Sequence, residues 1–226
     1  VTEERRRRVP RRIREQQIID VAVRVFSKRG YHASSVDEIA DLAGISKPMV
    51  YLYLESKEGL FIACLRREAD RLVRAFQDAA REAGPPDQRL YAGLRAFFAF
   101  VAEHRDGWVV LYRQAAELSE SIAREVALAR RAVLAQVAGL VREGVQGQGA
   151  QGQGAQGEGG DGAGQLREED ADFVAHSLVG AADSLTDWME RHPGQSPDGV
   201  ALRLMNMVWA GMERVLRGES WVPHSG

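Results

Sequence analysis

At 226 residues and 45% apolar composition, the chain has enough hydrophobic material for one long or two short packed domains. A net charge of −2 taken alone argues against a nucleic-acid partner, but residues 1–58 hold 12 Lys/Arg against 9 Asp/Glu, and the remainder 18 against 23. A basic head on an acidic body is the asymmetry expected when one end meets phosphate and the other does not.

Residues 1–12 are polar, with Arg5-Arg6-Arg7-Arg8 and Arg11-Arg12. Two readings stand: a solvated arm without fixed structure, or a basic arm that lies along phosphate or enters a minor groove. No apolar run follows Arg14, so the arginines do not introduce a signal peptide. Ile18, Ala22, Val25 and Phe26, flanked by Ile19 and Val23, predict an amphipathic helix over 13–29 that Gly30 stops.

The stretch from 35 to 57 reads SVDEIADLAGISKPMVYLYLESK. Ser35-Val36-Asp37-Glu38 has the form of a capping box, and Val36, Ile39, Ala40 and Ala43 then share one helical face. Gly44 stands where a left-handed residue ends a helix, Ile45 plugs the turn, and Ser46 caps a second short helix with Pro48 in its first turn. Two short helices joined by a glycine turn make a helix-turn-helix, whose second helix enters the DNA major groove by its N-terminal end. At that end Lys47 is long enough for a guanine edge or a phosphate, and Pro48 and Met49 can touch a thymine methyl. Lys47 and Tyr51 are expected to face outward, Val50 and Leu54 inward.

At Gly30-Tyr31-His32-Ala33-Ser34-Ser35-Val36-Asp37-Glu38-Ile39-Ala40, Ala43-Gly44-Ile45-Ser46-Lys47, Tyr51-Leu52-Tyr53 and Ser56-Lys57-Glu58-Gly59-Leu60, the chain resembles the TetR family of transcriptional regulators over about residues 14–62. It departs at Leu54, where the family usually carries phenylalanine, so a repacked wall is expected there. The resemblance implies an all-α fold of about nine helices: an N-terminal three-helix DNA-binding domain and a C-terminal helical domain for ligand binding and dimerisation. It also implies that Ser35, Ser46, Tyr51, Tyr53 and Lys57 hold phosphates through hydroxyl, amide and ammonium groups, contacts that fix register rather than sequence. The domain limits expected are a basic arm over 1–12, the DNA-binding domain over 13–58 and the helical body over 59–226.

After Ser56, an N-cap, Leu60, Cys64, Leu72, Val73, Phe76 and Ala80 predict a long helix that ends at Gly84-Pro85-Pro86. Cys64 is the only cysteine, so no intrachain disulfide forms; its apolar neighbours predict a buried thiol and a reducing, cytoplasmic setting. Leu90, Leu94, Phe97, Phe98 and Val101 continue the pattern to an expected break at His104-Arg105-Asp106-Gly107. Trp108, Leu111 and Tyr112 follow, then a longer helix from about Ser119 through Val141. Residues 146–164, QGQGAQGQGAQGEGGDGAG, are a glycine-rich repeat expected to form a flexible loop. Its formal GxGxxG match has neither the strand nor the helix a nucleotide site requires.

Two further helices are predicted over 168–191 and 197–217. Their excess apolar face, with Leu178, Ala181, Leu185, Trp188, Met205, Trp209 and Met212, is expected to pair with its copy in a homodimer, as the resemblance implies. Phe98, His104, Trp108, Tyr112 and His176 are the candidates for a pocket that takes a small, largely apolar effector.

No apolar run approaches the ~20 residues of a membrane span, so no membrane partner is expected. No catalytic residue, metal or cofactor is expected either: there is no G-x-S-x-G, and the five histidines show no ligand spacing. The function expected is a ligand-responsive transcriptional regulator, a homodimeric repressor that an effector releases from a double-stranded operator. A helical interaction scaffold and a small-molecule-processing enzyme are the competing readings. A scaffold has no use for salt-steep DNA affinity, and an enzyme would turn its ligand over.

Overall fold

The computed structural model describes residues 10–110, 119–151 and 168–216, with side chains left undescribed at 144–151, 168–169, 210 and 212–216. Among the described residues all regular structure is helical, in the order α1 (Arg11–Ala33), α2 (Val36–Ala43), α3 (Lys47–Leu54), α4 (Lys57–Glu82), α5 (Pro86–Glu103), α6 (Arg105–Trp108), α7 (Glu120–Gln151), α8 (Glu168–Arg191) and α9 (Pro197–Leu216). Two compact units form, Val1–Asp70 with His104–Ala129, and Arg71–Glu103 with Arg130–Gly226.

The first unit is built on α1, which buries Ile18, Ile19, Val21, Ala22, Val23, Val25 and Phe26. Gly30 interrupts it at φ 78°, ψ 165°, a conformation that L side chains rarely adopt, and the chain resumes helical turns over Tyr31, His32 and Ala33. Phe26 meets Phe61 edge to face with centroids 5.0 Å apart, and Tyr31 closes on the same ring at 5.1 Å. Around them lie Ile39 of α2, Val50 and Leu54 of α3, Leu60, Cys64 and Leu65 of α4, and Val110 and Ile122. Leu54 is buried, so leucine does fill the wall position. Fully burying side chains of this size stabilises by about 1.5–3 kcal/mol each, which is what makes helices of eight residues viable.

The compact units divide between Asp70 and Arg71, past the 58/59 limit expected for the DNA-binding domain, and 104–129 packs with the first unit. The reason is packing, since Phe61, Cys64, Leu65, Ala69, Val110 and Ile122 belong to the core of α1–α3. Polar ties follow the same map: Arg67 pairs with Asp20 at 2.6 Å, Arg66 Nε donates to Glu125 at 2.9 Å, and Ser119 donates to Glu58 at 3.0 Å.

In the second unit α5 packs chiefly on α9 and also on α8, burying Leu90, Leu94, Phe97, Phe98, Leu178, Ala201 and Leu204. Gly93 allows α5 to lie against α4, because a Cβ there would stand 2.5 Å from the Phe76 ring.

Two expected irregular segments are shorter than predicted. Of His104-Arg105-Asp106-Gly107 only His104 is non-helical, and α6 begins at Arg105. Gly107 serves close approach rather than chain reversal, because a Cβ on it would stand 2.5 Å from the buried Glu68 carboxylate. Residues 146–151, expected in the flexible loop, are helical, since α7 continues to Gln151. Extending an existing helix carries no new nucleation cost, so α7 runs on although each glycine is ~1 kcal/mol less favourable there than alanine. Residues 152–164, like the arm over 1–9, lie outside the described residues.

Candidate nucleic-acid interface

Two local motifs set the angle between α2 and α3. Ser35 stands at the N-cap of α2 in extended backbone, and its Oγ accepts from the Asp37 amide at 3.1 Å. Glu38, expected to close a capping box, instead pairs with Arg29 of α1 at 2.9 Å. At the other end Gly44 adopts φ 67°, ψ 35°, and the amides of Gly44 and Ile45 donate to Asp41 and Ala40 at 3.1 and 3.0 Å. That bond pair is a Schellman motif, and Ile45 packs onto the core as its apolar plug.

Helix α3 then divides cleanly. Val50 and Leu54 are buried, while Lys47, Pro48, Met49, Tyr51 and Leu52 are exposed, Met49 by 37% and Tyr51 by 39%. Ser46 is exposed at the N-cap and makes no side-chain capping bond, in contrast to Ser35. The Lys47 ammonium donates to Asp37 Oδ2 at 2.9 Å across the turn, and this hydrogen bond and charge raise its pKa above the ordinary lysine value.

Tyr53 is half-buried, with the Arg11 guanidinium 5.5 Å from its ring centroid. Lys57 is also half-buried at the start of α4, where its ammonium donates to the His32 carbonyl at 3.3 Å and sits 4.7 Å from the Tyr31 ring centroid. Burial holds the Lys57 pKa below its usual value. A cation already partly desolvated and supported by a ring face loses less on meeting a phosphate than a fully hydrated one.

Helix α4 leaves α3 through a tight reversal. Glu55 has φ 61°, ψ −46°, and the Ser56 amide bonds back to Leu54 O at 2.6 Å, the pattern of a γ-turn with positive φ. Ser56 caps α4, its Oγ accepting from Gly59 N at 2.9 Å.

Sequence reasoning missed Asp37 as the partner of Lys47 and Arg11 as the partner of Tyr53. The only signal for the first is that both residues lie in the opening turn of successive short helices.

The described residues expected to line a pocket are divided between the two compact units. Trp108 is buried and His104 half-buried in the first unit, Phe98 is buried in the second, His176 is solvent-exposed, and Tyr112 lies outside the described residues. A solvent-exposed His176 does not fit a closed pocket; its Nδ1 lies 2.8 Å from the Asp172 carbonyl of its own helix. The second unit does carry a cleft of about 270 Å³ lined by Phe76 and Ala80 of α4, Arg89 of α5, and Gln136, Leu140 and Glu143 of α7. None of the four expected residues that are described lines it.

The residues expected at the dimer face differ in their burial within this chain. Leu178, 1% exposed, and Met205 are buried within the unit, and Ala181, Leu185, Trp188 and Trp209 are half-buried. The Met212 side chain lies outside the described residues, and Trp188 stacks on His192 with centroids 4.4 Å apart. Among the described side chains of α8 and α9, the large apolar ones left in solvent are Phe173 (74% exposed), Met207 (77%) and Leu202. Helices α8 and α9 are apolar on more than one side, and packing with α5 decides which side turns inward.

Among the described residues no group of three or more His, Cys, Asp or Glu is placed to hold a metal ion, and no helix is long and apolar enough to cross a membrane.

Residues 18–64 match the family described as bacterial regulatory proteins, tetR family, and residues 86–211 match the tetracyclin repressor-like C-terminal domain. The chain is 30% identical over 209 residues to the HTH-type transcriptional activator FasR of Mycolicibacterium smegmatis, covering 92% of this chain and 87% of that protein. Among solved structures, a TetR-like transcriptional regulator from Rhodococcus sp. RHA1 superposes with TM-score 0.71 at 35% identity, covering 91% of this chain and 99% of that one. The transcriptional regulator FadR from Bacillus subtilis, solved in complex with stearoyl-CoA, shares the fold with TM-score 0.69 at 20% identity, covering 87% and 98%.

Proposed function

The chain belongs to the TetR family of bacterial regulatory proteins, and from that premise we propose that this DNA-binding regulator is a cytoplasmic homodimeric repressor, released from its operator by an effector with a long acyl chain. The observation that carries the DNA half is the exposed opening of α3, held outward by buried Val50 and Leu54 beneath the Schellman turn. Lys47, Pro48 and Met49 would meet base edges, and Ser35, Ser46, Tyr51, Tyr53 and Lys57 the flanking phosphates. The effector class is suggested by the stearoyl-CoA bound to the FadR structure, and it is extended to this chain as part of the proposal.

Release requires that the effector bind the DNA-incompetent state better; a 100-fold preference corresponds to about 2.7 kcal/mol of coupling. Helix α4 is the natural carrier, because its first half belongs to the core under α3 and its second half borders the cleft of the other unit. A shift of α4 would move two heads of a dimer off the spacing of about 34–36 Å, or a multiple, that successive major grooves demand. The exposed Phe173, Leu202 and Met207 would lie in the two-fold interface. On this reading the effector leaves chemically unchanged.

Electrophoretic shift with the DNA upstream of the coding region tests the assignment. Lys47→Ala is expected to weaken binding by about 1–3 kcal/mol, and Tyr51→Ala to weaken it as well. Stearoyl-CoA is expected to release the wild-type complex. Unchanged binding by both variants would exclude α3 as the reading element. A specific observation favours one second reading: FasR, similar over most of its length, is named an activator. Deleting the gene separates the two, since target transcripts rise if the protein represses and fall if it activates.

A further inference from the structure

The helix-turn-helix itself is acidic. From Ser35 to Ser56 it carries Asp37, Glu38, Asp41 and Glu55 against one cation, Lys47, and that cation is bound to Asp37 at 2.9 Å. Residues 1–34 hold ten arginines and lysines against Glu3, Glu4, Glu15 and Asp20, so the excess positive charge precedes the reading helices in sequence. The pair is exposed on both sides, 45% for Lys47 and 62% for Asp37. An exposed pair of this kind is worth only about two- to fivefold in an equilibrium constant, weak enough to be exchanged for a better acceptor.

We propose that Asp37 is a specificity-determining residue, an electrostatic gate that keeps Lys47 from random phosphates and yields it only to a base edge that accepts its hydrogen bonds. The inference rests on the DNA-reading assignment of α3. On non-operator DNA a phosphate in contact with Lys47 brings the Asp37 carboxylate well inside a Debye length of about 8–10 Å, so repulsion opposes the attraction. On the operator, guanine O6 and N7 give Lys47 a directed acceptor away from the phosphate row, and the exchange is favourable. Asp37 thus lowers non-operator affinity more than operator affinity, and it does so without contacting a base.

The cap of α2 runs from the backbone amide of residue 37 to Ser35 Oγ, and the carboxylate's other contact, accepting from Ser35 Oγ at 3.5 Å, is one that an asparagine carbonyl oxygen can keep. Asp37→Asn therefore separates charge from structure. The specific probe is a duplex selected from a random-sequence library by the wild-type full-length protein, and the non-specific probe is the same duplex scrambled. On the scrambled duplex D37N is expected to bind about five- to tenfold more tightly at 0.15 M salt and to steepen the slope of log K against log salt by about 0.9, one further phosphate contact. On the selected duplex the slope is expected to stay as in wild type, with an affinity gain no larger than about fivefold. In the D37N/K47A double variant the extra slope is expected to vanish.

An unchanged slope for D37N on scrambled DNA would overturn the gate, as would an increment that survives in the double variant. So would a D37N selection that changes the preferred base at one position, which would make Asp37 a reader in its own right. A wild-type protein that selects no duplex from the library overturns the regulator reading itself, before any variant is made.

Discussion

Replacing Gly59 by alanine is expected to destabilise the DNA-binding unit although it raises helix propensity. Gly59 lies in the first turn of α4, where alanine would gain about 0.8–1 kcal/mol in an unconstrained helix. A Cβ at this position would be driven against the carbonyl oxygen of Leu54, with Ser56 Oγ a further 3.3 Å contact. The oxygen cannot swing away, because it accepts the Ser56 amide at 2.6 Å in the turn where Glu55 already holds a positive φ. Opening that turn forfeits the hydrogen bond, about 0.5–1.5 kcal/mol, and moves backbone between two packed helices, about 1–3 kcal/mol. Set against the propensity gain, the net loss is about 1–3 kcal/mol, or a fall of about 3–10 °C in Tm for a chain this long. Thermal unfolding followed by circular dichroism measures it, and Leu54, the inner anchor of α3, is displaced in the same step, so DNA affinity should fall with it. A Tm equal to or above wild type would mean that the close approach of α4 to the end of α3 is absent in solution.

Glu125 is held below the ordinary carboxylate pKa chiefly by its hydrogen bond from Arg66. Its contribution to stability is therefore present above the unfolded-state pKa and lost as pH falls through the folded one. Glu125→Gln should lower stability near neutrality by no more than about 1 kcal/mol, because Arg66 is largely exposed, and should flatten the acid limb of a stability–pH curve. Burial pushes the Cys64 thiol well above its ordinary pKa, so thiol reagents should label it only as fast as the protein opens; rapid labelling of the folded protein would contradict its placement. Phe173→Glu combined with Met207→Glu should leave the monomer fold intact, since both side chains stand in solvent, and should yield monomers in light scattering where the wild type yields dimers.

The α2–turn–α3 element was legible because everything that shapes it is local. Ser35, Gly44, Ile45 and Ser46 act within about five residues of themselves, and a cap or a left-handed glycine leaves the same mark wherever it occurs. Glycine was read correctly where it supplies φ and incorrectly where it supplies room. Gly30 and Gly44 carry positive φ and end helical turns as expected. Gly107 was taken as part of a break, but it sits in a helix and makes space for Glu68, and Gly93 likewise makes space for Phe76. Nothing near either glycine in sequence announces that need, because the intruding side chain belongs to another helix. Leu178 and Phe173 illustrate the same limit: both are apolar residues of α8, one is buried and the other is in solvent, and the choice is made by the helices packed beside it.

The placement of charge separates two properties that a basic recognition helix would combine. On the proposed reading, affinity for any duplex would come from cations outside the helix-turn-helix, among them Arg11 and Lys57, which are held on the aromatic faces of Tyr53 and Tyr31. The reading surface of α3 is apolar and aromatic around one neutralised lysine, so it gains little from phosphate in general and much from a complementary groove. Substitutions should sort accordingly. Lys57→Ala should weaken operator and scrambled DNA by similar factors and reduce the salt slope by about 0.9, whereas Met49→Ala should weaken the operator alone and leave the slope unchanged. Equal losses on both duplexes for Met49→Ala would place that side chain on the backbone rather than in the groove, and the proposed division between the two sets of residues would fail.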